Sequence, residues 1–385
     1  MIINRIAESE LLALSKQYRA IAVVGPRQSG KTTLVRRCFP GKAYVNLENS
    51  DTRRFAIEDP RGFLSGFPHG ATLDEVQRAP EIFSYLQQVL DENNTKGQFI
   101  LTGSNNFLLQ QNISQTLAGR VGYLFLLPLS LQELDHPFPS TDALIYRGFY
   151  PEIYADKEMD AGKYYSNYIR TYVERDVRMI KNIVDLYTFE RFVRLCAGRT
   201  GQLLNMNSLA IEAGVDNKTV ASWLSVLETS FIVFRLQPYH KSFNKRIVKM
   251  PKLYFYDTGL ASALLGIDNK EQLGLHPFRG ALFENMVVVE FLKNRFNSGK
   301  TNNLFFWRDN VGTEIDLLIE NSESLIPVEI KSGQTITDAY FKSITTWCKI
   351  SGIDKGWVIY AGNQTQKRSN GITVLPYTEI GTFQP

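Results

Sequence analysis

The residues Gly25-Pro26-Arg27-Gln28-Ser29-Gly30-Lys31-Thr32, followed by Thr33, satisfy the pattern G-x-x-x-x-G-K-[ST] at every fixed position. Each fixed position has a task in holding a nucleoside triphosphate. The glycines let the backbone curl until successive N–H groups aim at phosphate oxygens. A helix starting at the motif's end adds the positive end of its dipole. Lys31 is placed to neutralise the β- and γ-phosphates, and the Thr32 hydroxyl to bind Mg²⁺. An apolar run at 20–24 leads in as a strand, and 33–37 leads out as a helix. Binding of ATP with Mg²⁺ by residues 25–33 is therefore the first expectation.

Hydrolysis needs a second group of residues. Leu73-Asp74-Glu75 ends an apolar run about 40 residues beyond Lys31, where a neighbouring strand supplies a carboxylate to the metal in nucleotide hydrolases. Asp74 is the candidate for Mg²⁺ and Glu75 the candidate base for the attacking water. Thr102-Gly103-Ser104-Asn105 ends the next strand, so Ser104 or Asn105 stands ready to orient that water or sense the γ-phosphate. The plainer role of such residues is to form a turn.

A third candidate set lies near the C-terminus. Thr313-Glu314-Ile315-Asp316 and Val328-Glu329-Ile330-Lys331 resemble the D…E-x-K core of PD-(D/E)xK nucleases. Strand alternation gives Glu329 and Lys331 one face. With a hairpin loop at 321–324 and Glu320 opposite Leu325, counting back sets Asp316 opposite Glu329. Two carboxylates facing each other repel, and a divalent cation, Mg²⁺ or Mn²⁺, would turn the repulsion into a binding site. Lys331 would then stabilise charge or orient a water, and the resemblance to that nuclease fold implies Glu284 as a further ligand. The plainer reading is a solvated hairpin.

These residues need a scaffold. Short apolar runs at 20–24, 43–47, 71–74, 99–103 and 122–127 alternate with helical segments, which implies a parallel sheet covered by helices. Leu117-Ala118-Gly119-Arg120 closes a helix just before the last of these runs. That placement resembles the AAA+ superfamily, where such an arginine reaches into a neighbouring subunit's site and is worth about 10³–10⁵ in rate. Arg120 is accordingly a candidate catalytic residue of a homo-oligomer.

A largely helical region follows, with Tyr164, Tyr168 and Tyr172 at helical spacing, read as a packing face. Leu209 to Glu228 has a helix-turn-helix pattern with Ala210, Gly214 and Val220 at its small, turn and apolar positions. From Thr229 to Tyr256 the basic residues Arg235, Lys241, Lys245, Arg246, Lys249 and Lys252 occur with no acidic one, interleaved with aromatics. This predicts a β-hairpin wing suited to a DNA backbone. Beyond it, a helix is expected at 281–295 and another near 336–350. Strands are expected at 303–307, 314–319, 326–330 and 356–360. Three units result, at 1–150, 151–277 and 278–385.

Composition narrows the class. With 385 residues the chain can build two or three domains. Hydrophobic residues at 44% and charged residues at 21% are ordinary for a globular protein, and a net charge of +4 neither demands nor excludes a polyanion. Three scattered cysteines argue against a disulfide framework or a zinc site. The apolar stretch 121–131 is too short to span a bilayer. A cytoplasmic location and no membrane partner are expected.

Nearly the whole length resembles prokaryotic, often called archaeal-type, ATPases of the AAA+ superfamily fused to a C-terminal domain of formerly unknown function. The resemblance rests on residues 25–34, Asp74-Glu75-Val76-Gln77, Thr102-Gly103-Ser104 and Leu117-Ala118-Gly119-Arg120. It extends through Tyr168-Ile169-Arg170-Thr171-Tyr172, Glu174-Arg175-Asp176-Val177 and Phe283-Glu284-Asn285. It implies an α/β chain with an N-terminal AAA+-type parallel sheet, a central winged-helix region and a restriction-endonuclease-like C-terminal domain. The functional expectation is an ATPase driving a DNA-binding, nuclease-like portion. The alternative is a nucleotide-controlled binding switch whose nuclease fold is inactive.

Overall fold

The computed structural model describes residues 3–104, 116–134, 140–173, 185–240, 248–321 and 324–383. Asn105, Glu174 to Val177, and Lys241, Lys245 and Arg246 lie outside the described residues.

Five strands form the N-terminal sheet: β1 (Ala20–Val24), β2 (Ala43–Asn46), β3 (Ala71–Asp74), β4 (Phe99–Gly103) and β5 (Val121–Phe125). They pair in parallel in the order β2-β3-β4-β1-β5. Residues of β1, β3 and β4 are buried throughout, so helices cover both faces and the strands read as continuous apolar runs. One expectation is corrected. The strand that ends in Asp74 is not beside the motif's strand, because β4 lies between them. All five strands still run the same way, so their carboxyl ends share one edge, where ligands of open α/β sheets collect.

Short helices at Thr141–Arg147, Pro151–Ala155 and Ala161–Tyr168 follow, the last passing into a π-helical turn at Ile169–Val173. Tyr150, Tyr164, Tyr165 and Tyr168 are buried against one another. Further on, helices Met206–Ala213 and Asn217–Thr229 are joined through Gly214, which sits in the left-handed region at φ 77°. Val220, Leu224 and Leu227 are buried, as the apolar stripe requires.

The wing expectation is met in part. Strands β6 (Val233–Pro238) and β7 (Lys252–Phe255) pair antiparallel. They are not free-standing, because β6 also pairs in parallel with β8 (Leu304–Arg308). With β9 (Glu314–Asn321), β10 (Ser324–Lys331), β11 (Gly356–Tyr360), β12 (Gln366–Lys367) and β13 (Ile372–Pro376), they complete an eight-stranded sheet. Its order is β12-β13-β11-β10-β9-β8-β6-β7. The aromatics Phe231, Phe234, Tyr254 and Phe255 in and beside this hairpin are core residues.

The helix Arg279–Asn297 joins the two sheets. Its Phe296 ring lies 5.0 Å from that of Phe125 in β5, while Leu282, Phe283 and Met286 are buried in the same continuous core. No described helix is long and apolar enough to cross a membrane.

Candidate functional site

The motif links β1 to the helix Lys31–Cys38. Gly25 is required by proximity, since a Cβ there would collide with the Leu126 carbonyl oxygen. Gly30 is required by conformation, at φ 90°. Gln28 also has a left-handed backbone, at φ 59°, an uncommon state for a residue with a side chain and one that clusters at functional sites.

Lys31 is buried, and its ammonium donates to the carbonyls of Gly25 at 3.0 Å and Pro26 at 2.7 Å. Burial lowers its pKa, Glu75 and Asp74 raise it, and Arg27 lowers it again. A buried cation so placed gains strongly from an anion that enters the loop.

Asp74 is buried and accepts hydrogen bonds from three hydroxyls: Thr32 at 3.1 and 3.3 Å, Tyr44 at 2.5 Å, and Thr102. A carboxylate beside a threonine hydroxyl at the start of the helix is a donor set that fits Mg²⁺, which keeps several waters and takes few protein ligands. Glu75 has φ 53°. Its carboxylate accepts from the Ser104 hydroxyl at 2.9 Å and from the Gln77 amide. The Ser104 hydroxyl thus lies directly against the candidate base.

Lys31, Thr32, Thr33, Asp74 and Glu75 line one cavity of about 470 Å³, together with Tyr172 from the central region. Several parts of this site escaped sequence reasoning. Pro151, Glu152 and Ala155 complete its wall. Gln28 donates to the Tyr172 hydroxyl at 3.0 Å and accepts from that of Tyr164 at 2.6 Å, so the tyrosine stripe packs and also grips the loop. Arg27 lies over the Tyr172 ring at 5.2 Å and 3.7 Å from Glu48. Arg5 braces the loop from behind, donating to the carbonyls of Ser29 at 2.6 Å and Leu127 at 2.7 Å while paired with buried Glu133 at 3.0 Å. No local motif marks Arg5, and Tyr172, although part of the tyrosine stripe, carries no local signal that it reaches the loop; only a chain-wide pairing signal would have found these contacts.

Arg120 stands at the other end of the sheet. Its carbonyl accepts from the Ala20 N–H, where β1 begins, and its guanidinium holds Asp91 at 2.6 and 2.8 Å. Five residues of strand, roughly 15 Å, separate it from the loop of its own chain.

The third candidate set is partly assembled. The β9–β10 register sets Glu320 opposite Leu325 and Leu317 opposite Val328. Continued by one pair, it brings Asp316 to Glu329, and the Ile330 N–H donates to Asp316 at 2.8 Å. The side chains around them are engaged by cations of the chain itself. Among the described residues no group of three or more His, Cys, Asp or Glu side chains is gathered to hold a metal ion. Lys331 is turned onto Glu329 at 2.7 Å. Buried Lys252, from β7, reaches Glu284 at 2.9 Å and Glu314 at 2.5 Å, and Tyr254 also donates to Glu284. Glu284 is thus engaged by these two residues. Burial, then Glu329 and Glu284, hold the Asp316 carboxyl well above the ordinary carboxylate range.

A family model described as an AAA domain matches residues 17–135. Two models described as domains of unknown function match residues 139–271 and 279–380. The parallel sheet and the loop geometry agree with the first match, which supports a P-loop ATPase of the AAA type in the N-terminal part. Over nearly its whole length the chain is similar to an uncharacterized protein of Mycobacterium tuberculosis, at 29% identity across 99% of this chain and 85% of the relative. An uncharacterized protein of Haemophilus influenzae is 22% identical across 60% of this chain and 58% of that one. Among solved structures, the Walker-type ATPase of Pyrococcus abyssi covers 68% of this chain and 96% of its own, at 14% identity and TM-score 0.46. AMPPCP-bound DnaA from Aquifex aeolicus covers 58% and 86%, at 16% and 0.28.

Proposed function

We propose that the chain hydrolyses ATP at the cavity around Lys31 and uses the nucleotide state to control what its central and C-terminal parts bind. The convergence of Lys31, Thr32, Asp74 and Glu75 at one sheet edge carries this reading. The loop N–H groups and Lys31 hold the β- and γ-phosphates, and Thr32 with Asp74 holds Mg²⁺. The ion supplies charge neutralisation to the phosphates. Glu75, steadied by Ser104 and Gln77, takes the proton of the attacking water as the bond to the leaving ADP oxygen breaks.

Two linkages support control over the rest of the chain. Gln28 grips Tyr164 and Tyr172, next to the π-helical turn. Arg5 connects the loop backbone to Glu133, and the adjoining segment is held by Glu290 and Lys293 of the helix Arg279–Asn297, through Leu131 N–H and Leu129 carbonyl. DNA is the partner we favour, because residues 241–249 carry Lys241, Lys245, Arg246 and Lys249 and no acidic residue. Arg235 and Lys252, by contrast, are engaged internally by Glu228 and by Glu284 and Glu314. Arg120 serves the site of a second copy.

The test is a pair of substitutions. Glu75→Gln should retain ATP binding and lose roughly 10²–10⁴-fold in turnover, whereas Lys31→Ala should lose both. Wild-type turnover in Glu75→Gln would refute the assignment of the base.

A further inference from the structure

The C-terminal carboxylates raise a question of charge that the ATPase reading leaves open. Glu284 and Glu314 share the Lys252 ammonium, and the β9–β10 register, continued by one pair, sets Asp316 beside Glu329, so the four carboxylates occupy one region of the C-terminal sheet. Carboxylates this close repel, and a resemblance to metal-dependent nucleases assigns a divalent cation to relieve the repulsion. The side chains present do not fit such an ion. Lys252 belongs to β7, at the far edge of the sheet order, and is only 2% exposed. Its ammonium lies 2.9 Å from Glu284 and 2.5 Å from Glu314. Arg308 takes the other oxygen of Glu314 at 2.9 Å, and Lys331 takes Glu329 at 2.7 Å. Four carboxylates thus face three cations that the chain itself provides, and the backbone N–H of Ile330 satisfies Asp316.

We propose that Lys252 is a built-in substitute for a divalent cation, so that the native cluster is a cation-bridged joint fastening the β6–β7 hairpin to the C-terminal sheet and does not take up Mg²⁺ or Mn²⁺. A lysine ammonium and a bound metal ion compete for the same carboxylate oxygens, and an ammonium attached to a strand needs no uptake from solution. Burial opposes the charge on Lys252, but Tyr254, Glu284, Asp316 and Glu314 raise its pKa well above the ordinary lysine value, so it remains protonated at neutral pH. Removal of the ammonium would leave Glu284 without a cation and free one oxygen of Glu314, so that these carboxylates, with Asp316 beside them, could recruit an ion from solution.

The experiment counts Mn²⁺ bound to the full chain by electron paramagnetic resonance without nucleotide. Asp316→Asn identifies binding at this cluster. The native chain should show no Mn²⁺ that Asp316→Asn removes. Lys252→Met should gain one Mn²⁺ per chain, lost again in Lys252→Met/Asp316→Asn, while Lys252→Arg should gain none. Mn²⁺ bound by the native chain and lost in Asp316→Asn overturns the proposal, and this arm needs no Lys252 variant to fold. A folded Lys252→Met chain that still binds ATP but gains no Mn²⁺ overturns it as well.

Discussion

Glu290 gives the most quantitative prediction. It lies in the helix Arg279–Asn297 with no exposed surface. One oxygen accepts the Leu131 N–H at 2.9 Å, and the other receives no hydrogen bond among the described residues, with Lys293 at 3.8 Å. Burial raises its pKa from 4.5 to about 7, against the opposing pull of Lys293 and the Leu131 N–H. Below about pH 4.5 the folded and unfolded chains both hold the proton. Between about 4.5 and 7 the unfolded chain releases it while the folded chain keeps it, so stability falls as pH rises. Above about 7 both are ionised and the full penalty persists. At about 1.4 kcal/mol per unit, the shift is worth about 3 kcal/mol. Glu290→Gln cannot titrate. In urea unfolding from pH 4.5 to 8, wild-type stability measured relative to that variant should therefore fall by about 3 kcal/mol. A wild-type advantage that grows with pH would refute the reasoning. It would mean that Lys293 holds the carboxylate ionised and that the ion pair outweighs burial.

Two further outcomes are expected. If Arg120 acts in trans, Arg120→Ala and Lys31→Ala chains should each be inactive alone and regain turnover when mixed, measured by phosphate release. No recovery, in a mixture that forms oligomers, would count against the arginine finger. If residues 241–249 contact a DNA backbone through four basic side chains, the slope of log affinity against log salt should be about −3.6 by fluorescence anisotropy. A salt-independent affinity would remove this segment from the interface.

Much of the nucleotide site was legible because its chemistry is local. A phosphate-binding loop needs glycine, lysine and threonine at set spacings, and its strand must be apolar because helices bury both faces. The bounds of β1, β3 and β4 therefore follow from composition alone, even for β3, where Thr72 interrupts the apolar run yet is buried. Strand alternation and a short hairpin loop were likewise enough for the β9–β10 register.

Contacts between distant segments were not legible. Local spacing carries no signal for Arg5 reaching Ser29 across 24 residues, or for Tyr164 reaching Gln28 across 136. The insertion of β4 between β1 and β3 depends on how the crossovers pack. The largest change of meaning concerns Lys252, which in sequence belongs to a basic stretch suited to phosphates. In the folded chain, β6 pairs with β8, the hairpin becomes a sheet edge, and that lysine is carried into a nest of carboxylates. Residue types and spacing define what a loop or a hairpin can bind. Which charges meet in the interior depends on strand order, because only packing brings groups from separate segments within a few ångströms of one another.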